Sequence, residues 1–230
     1  TGATIVVTQV TASTYDVQIS GGDLAALTGT VGLNLAGGAT ITDNSGNSLT
    51  VAEPATDETY TLDNIAPLLV SSTPADDATD IGLDTDIVFN FDTDIQFGTG
   101  NIQIIDLDDN SSTLTIDAAS PGALASISGG VLTINPASNL RLNVNYAVQI
   151  AGTAITDTFG NNYAGIADNT TLDFTTINVL IGFTATSSGA AESVSSASLE
   201  VGLSTSSTLT TSVDYTVTGT ATGGGADYTL

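Results

Sequence analysis

Apolar side chains recur at every second position in a series of short runs along this chain. Tyr15, Val17 and Ile19 alternate with polar residues, as do Val31, Leu33 and Leu35. The same rhythm returns at Ile87/Phe89/Phe91, Leu114/Ile116, Tyr146/Val148/Ile150 and Leu172/Phe174. It continues at Val179/Ile181/Phe183, Leu199/Val201/Leu203 and Val213/Tyr215/Val217. A period of two puts each set on one face of a half-buried strand. Clusters of Gly, Asn, Asp, Ser and Pro separate the runs, as hairpin loops require. No long segment keeps a 3.6-residue apolar period, and Leu24 to Leu27 has room for one helical turn at most. The expected fold is all-β, built of antiparallel sandwiches and not of a parallel α/β sheet. Phe89, Phe91, Val148, Ile150, Leu172 and Phe174 are the expected core of the central sandwich.

One element occurs twice. Ile41-Thr42-Asp43-Asn44-Ser45-Gly46-Asn47 returns as Ile155-Thr156-Asp157-Thr158-Phe159-Gly160-Asn161, and Tyr15-Asp16-Val17-Gln18-Ile19 resembles Tyr146-Ala147-Val148-Gln149-Ile150. The shared pattern reads as a strand end followed by a tight turn, in which Asp accepts backbone N–H groups and Gly supplies a positive φ. Turn capping therefore explains Asp43 and Asp157 better than metal ligation does. A repeat of roughly a hundred residues suits a string of sandwich domains.

The missing residue types narrow the chemistry. The chain has no His, Cys, Met, Trp or Lys; Arg141 is its one basic residue against 25 acidic ones, for a net charge of −24. Ser-His and Cys-His nucleophile pairs are excluded, as are the usual zinc sites. Without Lys there is no Schiff base, no phosphate-loop lysine and no Lys–Asn cross-link. Nucleic acid is excluded as a partner, because such a chain repels phosphates. Paired carboxylates remain available for acid/base work, but such sites normally lie in aromatic clefts, and 5% of the chain is aromatic. An apolar content of 41% is too high for a disordered acidic tail. No apolar stretch of about 18 residues is present, so no membrane span is expected. The chain begins at Thr1 without Met or a signal peptide. It is read as processed, or a fragment, or the ordered part of something larger.

Three stretches resemble known families. Residues 66–177 resemble the bacterial Ig-like domain of S-layer proteins and large repetitive adhesins. The matching residues are Ser72-Thr73-Pro74-Ala75-Asp76-Asp77-Ala78-Thr79, Leu83 to Phe89, Ile155-Thr156-Asp157 with Gly160-Asn161, and Leu172-Asp173-Phe174-Thr175-Thr176. Asp92-Thr93-Asp94 departs from the Ser-Glu pair more usual there. Residues 1–65 resemble the latter part of an adhesin Ig-like repeat, ending in Tyr60-Thr61-Leu62-Asp63-Asn64-Ile65. Residues 178–230 resemble the first half of a Calx-beta domain, through Ala191-Glu192-Ser193-Val194, Val213 to Val217, Gly219-Thr220-Ala221 and Asp227 to Leu230. The resemblance implies tandem immunoglobulin-like sandwiches, an extracellular location on a bacterial surface, and acidic calcium ligands near Glu192 and Asp227.

Calcium suits so acidic a chain, because it takes six to eight oxygen ligands. No EF-hand loop or Gly/Asp nonapeptide repeat is present. The candidate ligands are Glu192, Asp214 and Asp227, followed by Asp63 and Asn64 at the first junction. Asp76 and Asp77 would join the latter pair only if the linker folded back. A high-salt habitat is the alternative explanation of the acidity. The sequons at Asn110 and Asn169 read as accidental, and Gly223-Gly224-Gly225 reads as a hairpin tip and not as a phosphate loop.

Three functions from different classes follow. The first is a structural module, either a spacer in a giant adhesin or a subunit of an extracellular fibre. Its partners are neighbouring domains of the same giant chain, or other copies paired head to tail by strand complementation between half-domains. The second is a carbohydrate- or cell-surface-binding module, for which exposed Tyr163 or Tyr228 would be the best support. The third, an enzyme fragment, has the least support from the residue types present.

Overall fold

The computed structural model describes residues 2–12, 14–32, 42, 45–48, 59–186, 189, 200–204, 212, 214 and 216. The chain divides into two compact units, residues 1–177 and 178–230.

The first unit opens with two antiparallel strand pairs. β1 (Thr4–Gln9) pairs antiparallel with β2 (Tyr15–Ser20), setting Ile5 opposite Ile19 and Val7 opposite Val17. The single turn expected at Leu24–Leu27 is a 3₁₀ turn over Gly22–Ala26. β3 (Gly29–Gly32) then pairs with β4 (Thr59–Leu62), with Val31 opposite Tyr60. Alternation sets the register of these pairs, yet their apolar side chains stay in reach of water. Ile5, Val7, Tyr15 and Tyr60 are all more than half exposed. Leu33 and Leu35 lie outside the described residues.

The sandwich follows. Its strands are β5 (Leu69–Thr73), β6 (Ala78–Ile81), β7 (Ile87–Phe91), β8 (Ile95–Phe97), β9 (Asn101–Asp106), β10 (Ser111–Asp117), β11 (Ala125–Ser128), β12 (Val131–Ile134), β13 (Asn145–Ile150), β14 (Ile155–Asp157) and β15 (Asp173–Thr176). One sheet has the order β10-β9-β13-β15-β6, the other β11-β12-β7-β5, and β8 pairs with β14 beside them. The side chains of both sheets meet in a single core. Ile87 and Phe89 of β7 and Leu132 and Ile134 of β12 are wholly buried, and so are Ile102 of β9 and Tyr146 and Val148 of β13. The six expected core residues are all buried. This is the consequence of period-two strands laid face to face: each strand sends alternate side chains inward.

One pairing departs from the antiparallel expectation. β15 runs parallel to β6, with Phe174 opposite Ala78 and an irregular register before Thr176 meets Ile81. Parallel neighbours need a long crossover, and here almost the whole sandwich lies between the two strands.

Arg141 holds a corner of the sandwich. Its guanidinium donates to the buried Asp106 carboxylate at 2.7 Å and lies 3.3 Å from that of Asp109, at the β9–β10 hairpin. Its backbone N–H donates to the Tyr146 hydroxyl at 2.9 Å, and its carbonyl accepts from the Thr176 hydroxyl at 2.6 Å. The single basic side chain thus compensates a buried carboxylate that would otherwise be costly to desolvate.

Among the described residues, the two copies of the repeated element share a bridge and a positive-φ glycine. Thr42 bridges Ser48, Thr156 bridges Asn162, and Gly46 and Gly160 have φ of 86° and 93°. β4 stands in the first copy where β15 stands in the second.

In the second unit, β16 (Ile181–Phe183) pairs antiparallel with β17 (Val201–Leu203). Leu180, Ile181, Phe183, Val201 and Leu203 are exposed. The strand expected at Val213, Tyr215 and Val217 lies outside the described residues. No helix among the described residues is long and apolar enough to cross a membrane.

Candidate functional site

Three of the described carboxylates, those of Asp76, Asp77 and Asp173, come together at one end of the β6–β15 pair. Asp76 and Asp77 form the turn that leads into β6, and Asp77 takes a positive φ of 59° there. Asp173 opens β15. The parallel pairing brings these distant segments side by side: the Asp77 N–H donates to the Asp173 carbonyl at 3.0 Å, and the Asp173 N–H donates to Asp76 Oδ1 at 3.1 Å. One oxygen from each of the three carboxylates lies within 4.8 Å of the others. Asp76 and Asp77 are exposed and Asp173 is half-buried.

Electrostatics at this trio are unfavourable as they stand. Partial burial pushes the Asp173 carboxyl above the usual carboxylate range, and the charges of Asp77 and Asp76 push it further, against a hydrogen bond from Asn145. A proton relieves that repulsion, and so does a cation. Three clustered carboxylate oxygens open to solvent have the donor chemistry for a hard divalent cation that keeps several waters.

The residues that the sequence singles out lie elsewhere. Asp63 turns its carboxylate onto its own turn, accepting the Ile65 N–H at 3.0 Å. Asn64 donates its side-chain amide to the Leu27 carbonyl at 2.5 Å. Asp76 and Asp77 are gathered with Asp173, not with that pair. Asp214 is exposed. Glu192, Asp227 and Asp43 lie outside the described residues. Asp173 is missing from the candidates that the sequence supplies. The available signal is an acid opening the closing strand, but only the β6–β15 pairing shows which acids it joins.

Asp157 behaves as a turn cap. Its carboxylate is buried and accepts the Phe159 and Asn161 N–H groups, each at 2.8 Å, and the Asn161 side-chain amide at 2.8 Å. Burial alone would raise this carboxyl. The bonds from Asn161, Phe159 and Gly160 outweigh burial and hold it below the usual range.

Tyr163 does not meet the condition that a sugar platform requires. It is buried, with its ring edge-on to Phe91 at 5.1 Å and 84°. It fills the core beside the β8–β14 pair and offers no platform to a sugar. Tyr228 lies outside the described residues. Of the sequon residues, Asn110 sits in the β9–β10 hairpin with a φ of 55°, and Asn169 accepts a hydrogen bond from the Gln149 side chain at 2.8 Å.

Residues 63–176 match a family described as the bacterial Ig-like domain. No curated protein matches the chain.

Proposed function

From a chain that carries one bacterial Ig-like domain, at residues 63–176, a kind of domain typical of surface proteins and typically non-catalytic, we propose a non-enzymatic structural module of an extracellular bacterial surface protein. It serves as a spacer or stalk in a giant adhesin, or as a subunit of an extracellular fibre. The observation that carries this reading is the contrast between the centre and the flanks. The sandwich consumes its inward side chains in its own core. The strand pairs before it in sequence leave Ile5, Val7 and Tyr15 exposed, and the pair after it in sequence leaves Ile181, Phe183 and Val201 exposed. Exposed apolar strands of this kind are covered by a neighbouring sheet or they aggregate. Neighbouring domains of one long chain would supply that cover, and so would strand complementation between copies, residues 1–65 of one with the Calx-beta-like residues 178–230 of the next. Head-to-tail pairing does not close, so it produces a filament. A chain lacking residues 179–230 is expected to stay monomeric in sedimentation and to fail to elongate filaments seen by electron microscopy. Assembly into the same fibres without those residues would rule out complementation and leave the neighbouring-domain form.

Calcium stiffening belongs to the same reading. Asp76, Asp77 and Asp173 support it, with Glu192, Asp214, Asp227, Asp63 and Asn64 as further oxygen donors. A cation that binds only the folded chain stabilises it by mass action, by about 1.4 kcal/mol at tenfold excess over Kd. Millimolar calcium is expected to raise Tm relative to chelator at matched ionic strength, and D173N should remove most of the increment. Superimposable melting curves would show that the acidity serves solubility alone. The alternative role in binding carbohydrate or another cell surface loses support with Tyr163 in the core.

A further inference from the structure

We infer that the repeated ITDxxGN turn is a junction clasp, which fixes the polypeptide entering the sandwich as well as capping its own strand. The clasp acts on a single peptide group, the one joining Asp63 to Asn64. Its carbonyl accepts the Asn161 side-chain amide at 3.1 Å. Its N–H donates to the Thr28 hydroxyl at 3.2 Å. The first contact comes from the sandwich, the second from the loop between the 3₁₀ turn and β3. The peptide plane is therefore held on both edges, one by each of the segments it connects.

Both holding groups are themselves set in place. Asn161 Nδ2 has two hydrogens; one goes to the Asp157 carboxylate at 2.8 Å and the other to Asp63. Two oxygens facing that atom fix the orientation of the amide, since a flip would put oxygen against oxygen. The buried Asp157 carboxylate also anchors the Asn161 backbone. On the upstream side the Asn64 side chain reaches the Leu27 carbonyl at 2.5 Å, next to Thr28. The Asp63 carboxylate closes the following step of the chain by accepting the Ile65 N–H. Rotation about the bonds flanking the 63–64 peptide breaks at least one of these contacts. Asp63 and Asn64, candidate calcium ligands by sequence, thereby take a role in stiffening that needs no metal. The inference does not depend on the stalk reading, because it concerns the order of one junction in the isolated chain.

The absence of cysteine makes the test direct. Spin labels at T30C in β3 and S126C in β11, both exposed, report the distance across the junction by pulsed electron resonance, in chelator. The parent chain is expected to give one narrow distribution. N161A, which removes the donor to the Asp63 carbonyl, and T28V, which removes the acceptor of the Asn64 N–H, are each expected to at least double its width. Thr28 lies outside residues 63–176, so the Tm of the sandwich should be nearly unchanged in T28V, and T28V decides if N161A also loosens the sandwich. A narrow distribution retained in T28V, or a parent distribution as broad as that of the variants, would overturn the clasp.

Discussion

Phe89→Ala is expected to cost the sandwich about 3–5 kcal/mol, the usual penalty for emptying a fully buried aromatic site. Phe89 has no exposed surface, and it sits mid-strand in β7 with Leu132 of β12 opposite on one side and Ser72 of β5 on the other. Collapse into the vacated space is hindered because β7 is an interior strand, hydrogen-bonded on both edges. Domains of this size have total stabilities of about 5–15 kcal/mol, so the loss removes a large share of the margin. Urea unfolding is the measurement, with an unchanged m value showing that the variant still folds to the same compactness. Val70→Ala is the matched control: Val70 is 65% exposed on β5, and its change should stay within about 0.5 kcal/mol. A Phe89→Ala loss below about 1 kcal/mol would mean that the ring sits at an edge of the core.

Phe89 is legible in the sequence through its place in Ile87/Phe89/Phe91. Alternation is a local property, and a strand with one buried face must display it. The same holds for Tyr146/Val148/Ile150 and for Leu172/Phe174. Ala78–Ile81 carries no such alternation, and β6 joins the sheet through a parallel, irregular pairing with a strand almost the whole sandwich away. That pairing brings Asp173 to Asp76 and Asp77, so the trio is hidden for the same reason as the strand. The facing of Tyr163 is hidden too. It lies in an irregular stretch without alternation, and only the position of Phe91 shows that its ring points inward. The ITDxxGN turn is half legible. Capping by Asp157 follows from residue types and spacing within seven residues, whereas the reach of Asn161 to Asp63 depends on how the whole sandwich folds back to its own entrance.

Asp157→Ala is expected to cost about 2–3 kcal/mol near pH 7, because it strands donors that the buried carboxylate now satisfies. The Phe159 N–H, the Asn161 N–H and one hydrogen of the Asn161 amide all lose their acceptor. Water reaches the exposed tip of the turn and recovers part of the loss, which keeps the figure below the sum of three orphaned groups. The penalty should depend on pH with a definite sign. Asp157 has a folded pKa held below the ordinary value of 3.8. A depressed carboxylate contributes stability that is complete above the unfolded pKa and is lost as pH falls through the folded one. The gap between the parent and Asp157→Ala should therefore be constant from neutral pH down to about 5, then narrow as the solution is taken toward pH 3 and below. Asp173 pulls the other way, since its folded pKa is raised and its protonation on acidification favours the fold. The subtraction removes that contribution, as both proteins carry Asp173 unchanged. Urea midpoints of the two chains across pH 3–7 supply the comparison. A gap that keeps its full size at pH 3 would mean that the carboxylate charge contributes nothing and that the turn depends on the shape of the side chain alone.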